Sequence, residues 1–378
     1  MTTNRPHVRI GDDHASRRVF ELYMTAEMVV PDADRGELAR QAEVARAIGS
    51  PFVADVLAAS ARLLAHAPRT AAMLAQWRGD PAAAAVAMRF NAALHALARR
   101  DTPAVLGALY RGEHRDVAAA VRAALAEHDT FIADWMRDPP QTNEVGRAAS
   151  ILAALMVVRR RFDLPVELLE LGSSAGLNLN LDRYAYDLGG VRAGDPASPV
   201  RIAPEWRGAP APEEPVAVAA ARGVDLSPLD ARDPATCDRL MAYVFADQPA
   251  RSARLGHALE IARRHAPCVE RADAATWLIE QLARPQPVGR CRAVFHSMVL
   301  QYVDAAARRR IVRSIAAAGG RADESRPLAW ISFEWTRLRT AVELRLTCWP
   351  GGETRVLATC HPYGAWIDWH EVAKKDLS

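Results

Sequence analysis

The stretch Val166-Glu167-Leu168-Leu169-Glu170-Leu171-Gly172-Ser173-Ser174-Ala175-Gly176-Leu177-Asn178 decides how this chain is read. An apolar run of strand length ends in an acid, passes a turn of Gly and Ser, and opens a helical pattern. In a parallel sheet such a turn presents backbone N–H groups and a helix N-terminus to a ligand. The same letters serve two chemistries. Glu170-x-Gly172-x-Ser174-x-Gly176 reads as a loop for a nucleotide-type cofactor, where residues lacking Cβ allow left-handed backbone and close approach of the ligand. Gly172-x-Ser174-x-Gly176 also reads as a nucleophile elbow that exposes Ser174 on a strand-to-helix turn. A tight turn without any ligand is the third reading.

The residues before Val166 discriminate. An elbow needs several strands laid down ahead of it, one of them supplying an oxyanion loop. Instead Phe52, Val53, Val56, Leu57, Leu63 and Leu64 recur at helical spacing, as do Leu94, Leu97, Val105, Leu106 and Leu109. Ile151, Leu152, Leu155, Met156 and Val158 form another amphipathic helix that leads into Val166. Val166–Leu171 is therefore expected to open its sheet, and an elbow lacks its scaffold.

Downstream, apolar runs alternate with helical stretches. Val216–Ala220 leads to Gly223-Val224-Asp225, and Cys268–Ala274 carries Asp273. Cys291–Leu300 contains His296, and Leu328–Phe333 is followed by Glu334. Glu343–Cys348 and Thr354–Thr359 flank Pro350-Gly351-Gly352, a hairpin signature. Asp225 stands 49 residues after Gly176 (225 − 176), where roughly 20 separate glycine loop and ribose acid in dinucleotide folds. The Gly- and Pro-rich segment 184–215 accounts for the excess as an insertion.

In this order the segment from about Glu144 to the C-terminus resembles class I S-adenosylmethionine-dependent methyltransferases, with Ser174 in place of the middle glycine of their first motif. Ser174–Asn178 with Asp182-Arg183-Tyr184 further resembles an uncharacterised bacterial family, a domain of unknown function, with that fold. The resemblance implies a Rossmann-like α/β sheet of seven strands with a terminal antiparallel hairpin, preceded by an all-helical region. It implies S-adenosylmethionine as cofactor, with Glu170, Gly172, Ser173, Ser174, Gly176 and Asn178 around it. Asp225 would hold the ribose hydroxyls, Asp273 the adenine amino group, and Tyr302 would cover the adenine. His296 would serve as base or substrate anchor, with Glu334 across the same cleft edge. Each has a plainer reading: turn acid for Asp225, helix N-cap for Asp273, packed strand-end ring for His296, solvent-facing acid for Glu334, core aromatic for Tyr302.

Three functions follow from different classes. The first is methyl transfer to a small-molecule acceptor; no Asn-Pro-Pro-Tyr-type motif points to amino-methylation of bases or glutamine. The second is hydrolysis by Ser174 with His296 or His361 as base. The third is non-catalytic binding of a nucleotide-like ligand or a partner.

Composition bounds the rest. A length of 378 residues suggests two or three units, divided as a helical cap region at 1–140 and an α/β region at 141–378, with Asp138–Asn143 as linker. The net charge of +3 is small, and Lys occurs only at Lys374 and Lys375, so the Arg load reads as coding bias and gives no nucleic-acid signal. The cysteines, Cys237, Cys268, Cys291, Cys348 and Cys360, have no metal-ligand spacing and indicate a reducing compartment. With no secretory signal and no membrane-length apolar stretch, a cytoplasmic location is expected. Oligomeric state leaves no trace in the sequence.

Overall fold

The computed structural model describes residues 36–370. Its first part is helical: α1 (Glu37–Ala47), α2 (Pro51–Leu63), α3 (Pro68–Ala75), α4 (Val86–Arg99), α5 (Ala104–Tyr110) and α6 (Val117–Arg137). Proline opens α2 and α3, where its missing N–H costs nothing, and the Asp116 carboxylate caps α6 by accepting from Ala119 N. The apolar spacing read from the sequence becomes one core of Val53, Leu57, Phe90, Leu94, Leu106 and Leu125. That core also takes in Ala242, Tyr243, Phe245 and Tyr363 from the later chain, so the helices pack as a layer against the remainder.

After a 3-10 turn at Val145–Arg147 come α7 (Ala148–Phe162), β1 (Val166–Leu171) and a second 3-10 stretch, Leu177–Arg183. Four short strands follow: β2 (Ala185–Leu188), β3 (Val191–Gly194), β4 (Arg201–Ile202) and β5 (Glu205–Gly208). The chain continues through β6 (Val218–Asp225), α8 (Pro234–Ala242), α9 (Pro249–Arg264), β7 (Val269–Arg271) and α10 (Ala274–Ala283). It ends with β8 (Cys291–Ser297), α11 (Ala305–Gly319), β9 (Leu328–Trp335), β10 (Val342–Trp349), β11 (Glu353–Cys360) and β12 (Trp366–Trp369).

The main sheet has nine strands in the order β5-β12-β11-β10-β9-β8-β1-β6-β7. From β7 to β9 the pairs are parallel; β9, β10, β11 and β12 then run antiparallel, and β5 closes the edge parallel to β12. The expected count of seven strands is corrected to nine, because the 184–215 segment contributes β5 and the chain end contributes β12. The hairpin about Pro350-Gly351-Gly352 is β10–β11, with β10 directly beside β9. The remaining short strands, β2, β3 and β4, make a separate small sheet.

No strand precedes β1 among the described residues. Its side chains alternate between two cores, Val166 and Leu168 on the α7 face, Leu169 and Leu171 on the other, which is why it reads as a continuous apolar run. From β1 the chain lays β6 and β7 to one side, then crosses to β8 on the other. Such a reversal leaves a crevice at the carboxyl ends of the two strands that flank it, where open α/β sheets take ligands.

Candidate functional site

The loop leaving β1 lies at that reversal. Gly172, Ser174 and Gly176 all carry positive φ, at 68°, 55° and 69°, so Ser174 holds the left-handed backbone usually left to glycine. The helix expected next is not α-helical. Tyr184 donates its hydroxyl to Leu177 O, and the residues between wind as a 3-10 stretch that offers no α-helix N-terminus to a ligand.

The loop's amides are already engaged. Gly172 N and Ser173 N donate to Val224 O at 2.9 and 3.0 Å, and Gly176 N to Ser173 O at 2.7 Å. Ser174 N donates to Asp225 Oδ2 at 2.8 Å. Ala175 N and Leu177 N both reach Asn143 Oδ1, at 3.2 and 3.1 Å. The space the glycines open is likewise taken: a Cβ on Gly172 would stand 2.5 Å from Val299 Cγ2, and one on Gly176 2.5 Å from Pro267 Cβ.

Beneath the loop several polar atoms lack partners. Glu170 is only 2% exposed, and its Oε2 makes no hydrogen bond; neither do Ser174 Oγ and Asn178 Oδ1. Burial pushes the Glu170 carboxyl well above the usual carboxylate range, the nearby Asp225 charge adds to this, and bonds from Ser173 and Asn178 oppose it without reversing it. The environment of Glu170 therefore favours its neutral form over the carboxylate. Asp225 meets the loop as expected for an acid on the neighbouring strand, while its other oxygen accepts Ser227 N at 2.8 Å.

Two of the expected site residues are engaged within the chain itself. Asp273 is an exposed N-cap of α10, its Oδ2 accepting both Thr276 N and Thr276 Oγ1 at 2.8 Å. His296 is fully buried and spent at both nitrogens: Nε2 accepts the Trp330 indole N–H at 3.0 Å, which leaves the proton on Nδ1, donated to Glu334 Oε1 at 2.7 Å. A ring with no free lone pair is not placed to take a substrate proton.

Glu334 is the better-placed group. Its Oε1 also accepts Val299 N and Leu300 N, at 2.9 and 3.2 Å, fixing the turn after β8, while Oε2 makes no hydrogen bond among the described residues. Tyr302 ends that turn with one flank open, 44% exposed overall. Burial raises the pKa of its hydroxyl to about 12, against the opposing pull of the Arg147 and Arg89 charges.

Sequence reasoning missed Asn143, taken for a linker residue, and the buried arginines Arg89 and Arg147. Arg147 donates to Pro362 O at 2.9 Å and Ser297 O at 3.1 Å beneath the carboxyl end of β8. Between the 142–145 segment and Val244, Arg251 and Leu255 lies a hollow too narrow to admit a water molecule.

The elbow reading is not met. Among the described residues no histidine bonds Ser174 Oγ, His296 is engaged as above, and His361 Nδ1 accepts Tyr363 N at 3.2 Å. Among the described residues no group of three His, Cys, Asp or Glu could hold a metal, and no helix is long and apolar enough to cross a membrane. The model of the family described as "uncharacterized protein conserved in bacteria (DUF2332)" matches residues 35–369. The chain belongs to that bacterial family. The match runs from α1 to β12, so the helical layer and the sheet together make up the family's unit. No curated protein and no solved structure matches the chain.

Proposed function

We propose that the protein is an S-adenosylmethionine-dependent methyltransferase acting on a small-molecule acceptor, with a Rossmann-like site at the carboxyl ends of β1 and β6. The observation that carries this reading is the bond from Ser174 N to Asp225 Oδ2, which joins the glycine turn and the neighbouring-strand acid into one unit at the sheet's reversal. The unpaired Glu170 Oε2, Ser174 Oγ and Asn178 Oδ1 suit a polar ligand in kind. Space is the constraint, because the Val299 methyls and the Asn143 amide stand against the loop and must give way on binding.

When bound, the cofactor supplies an electrophilic methyl group. The chain's own contribution centres on Glu334, whose second oxygen is available to orient an acceptor or receive its proton, while His296 positions that carboxylate. Isothermal titration with S-adenosylmethionine and S-adenosylhomocysteine tests the reading. Saturable binding that Asp225→Ala abolishes supports it, whereas no heat from either ligand refutes it. Covalent labelling of Ser174 by a fluorophosphonate would move the assignment to hydrolysis.

A further inference from the structure

Between α6 and the 3-10 turn at Val145–Arg147 the chain runs without secondary structure through Asp138-Pro139-Pro140-Gln141-Thr142-Asn143-Glu144. Both ends of this strap are fastened. At Asp138 the carbonyl accepts Arg89 Nη1 at 2.9 Å, and the carboxylate pairs with Arg239 at 3.3 Å. At the other end Glu144, 6% exposed, accepts Arg251 Nε and Nη2 on Oε2 at 2.8 and 2.5 Å, and Gly146 N on Oε1 at 2.9 Å. A buried pair of this kind holds its place, because separating the partners strands a charge.

Between these anchors the grip on the sheet is light. Gln141 Nε2 donates to Ser227 O, past the end of β6, at 3.4 Å, the long limit of a hydrogen bond. Asn143 Oδ1 accepts Ala175 N at 3.2 Å and Leu177 N at 3.1 Å, so two amides of the β1 loop converge on one oxygen supplied from 32 and 34 residues away. Pro139 and Pro140 have no N–H to add a further bond. Asn143 makes the contact with φ at 34°, on the left-handed side, which asparagine bears better than most residues but not without cost. Nor does the contact complete the loop. Ser174, just before Ala175, and Asn178, just after Leu177, are 6% and 2% exposed, and Ser174 Oγ and Asn178 Oδ1 have no hydrogen-bond partner. A side chain retained only to close a turn satisfies that turn; this one covers two amides and leaves the flanking oxygens unpaired.

We infer that Asn143 is a displaceable stopper. Its carboxamide oxygen holds, on Ala175 N and Leu177 N, the place of an acceptor oxygen of the ligand, and segment 139–143 moves off the loop between fixed ends when that ligand binds. The inference rests on the proposed cofactor only for the ligand's identity. A stopper lowers apparent affinity by the fraction of molecules in which it is closed. It therefore selects for ligands that offer these amides a better acceptor, or that add partners for Ser174 and Asn178.

Two variants test this on the full chain. Asn143→Gly removes the carboxamide and keeps the backbone path, since glycine adopts positive φ freely. Asn143→Asp keeps the shape and makes the acceptor a charged one, which strengthens the closed contact. Isothermal titration with S-adenosylhomocysteine should show affinity raised several-fold in Asn143→Gly and lowered several-fold in Asn143→Asp. An asparagine that contacts the ligand, or one that only supports the fold, would weaken binding when replaced by glycine. Amide hydrogen exchange without added ligand gives a second readout. Ala175 and Leu177 should exchange faster than Leu168 in β1 and Val294 in β8, through an opening short of unfolding, faster again in Asn143→Gly and more slowly in Asn143→Asp. Loop amides as protected as those strand amides overturn the inference, and so does exchange or affinity that Asn143→Gly leaves unchanged. If Asn143→Gly fails to fold, the unaltered chain and Asn143→Asp decide by the same comparisons. Local opening that follows the variants, with no heat from S-adenosylhomocysteine in any protein, would remove the cofactor assignment and keep the stopper; binding with the opposite order of affinities would remove the stopper alone.

Discussion

Gly172→Ala should destabilise the protein by an amount that can be divided into two parts. The residue sits at φ 68°, and an L side chain in the left-handed region costs roughly 1–2 kcal/mol. The new methyl would lie 2.5 Å from Val299 Cγ2 and 2.8 Å from Val299 Cγ1, so Val299 must move, and overpacking of this kind costs about 1–3 kcal/mol. The expected loss is therefore about 2–5 kcal/mol. Val299→Ala removes both clashing carbons, so the double variant should keep the strain and shed the overpacking. A double-mutant cycle by urea unfolding, followed by tryptophan fluorescence, should show a favourable coupling of about 1–3 kcal/mol with unchanged m-values. Losses that add within about 0.5 kcal/mol would refute the contact. The same variants report on function. Val299→Ala opens the space beside the loop and should tighten S-adenosylmethionine binding, while Gly172→Ala should weaken it; equal affinities in all three proteins would mean that the ligand does not approach Gly172.

Glu170 has a raised folded-state pKa, so its contribution is complete below the unfolded value of about 4.3 and is lost as pH rises toward the folded value. Glu170→Gln should therefore gain stability relative to the unaltered protein progressively above about pH 4.3, and parallel pH profiles would contradict the buried neutral acid. His95 and His361 show the opposite shift, each lowered from 6.5 to about 4, chiefly by burial and then by Arg99 and Arg251 respectively. Their contribution is present above pH 6.5 and lost as pH falls toward 4, so urea midpoints should decline over that window and decline less in a His95→Gln, His361→Gln protein. Glu334→Ala strands Val299 N, Leu300 N and the His296 Nδ1 proton and should cost about 3 kcal/mol or more, whereas Glu334→Gln keeps an acceptor and should cost about 1 kcal/mol; equal losses in urea would remove the anchoring role. Ser174→Gly relieves left-handed strain and removes an unpaired buried hydroxyl, so denaturant titration should show a gain of about 1–2 kcal/mol, and a loss would expose a contact with Ser174 that this account lacks.

The strands around the reversal were legible because each is buried on both faces. Val166–Leu171, Cys291–Ser297 and Leu328–Trp335 show nearly unbroken apolar character with strand length; the first matches at both ends, and the other two differ from the expected runs only at their carboxyl ends, by three and two residues. The edge was not legible. Glu205–Gly208 is mostly exposed and pairs with Trp366–Trp369, some 160 residues later, and no local pattern marks a pairing that distant. Of the site, the meeting of Asp225 with the loop follows from strand-end placement, as does the proximity of His296 and Glu334. What the letters could not show is occupancy: which groups satisfy the loop amides, which nitrogen of His296 is free, and whether an arginine within a helical pattern faces water. Arg89 and Arg147 look like ordinary helix arginines in the chain, and only tertiary packing withdraws them from solvent.

Departures from local rules are not scattered evenly through this molecule. Asp163 holds left-handed backbone at a helix C-terminus, where that conformation is ordinary, and Ala85 holds it at the N-terminus of α4, where it is not. Asp101, Asn143, Ser174, Met298 and Arg339 hold it elsewhere, and three of these five gather here: Asn143 against the β1 loop, Ser174 and Met298 past the carboxyl ends of the adjacent strands β1 and β8. The same corner contains a buried glutamate whose pKa is raised by burial, and unpaired polar atoms on Ser174 and Asn178. Selection for stability alone would favour glycine at 174 and glutamine or an apolar residue at 170. Left-handed backbone and unpaired polar atoms that coincide at the end of a strand beside the sheet's reversal mark a place that a ligand could complete. A ligand that pairs those groups should recover part of the lost stability, in proportion to its affinity for the folded chain. Screening small anions and adenosyl compounds for stabilisation therefore addresses function here more directly than assaying activity against a guessed acceptor.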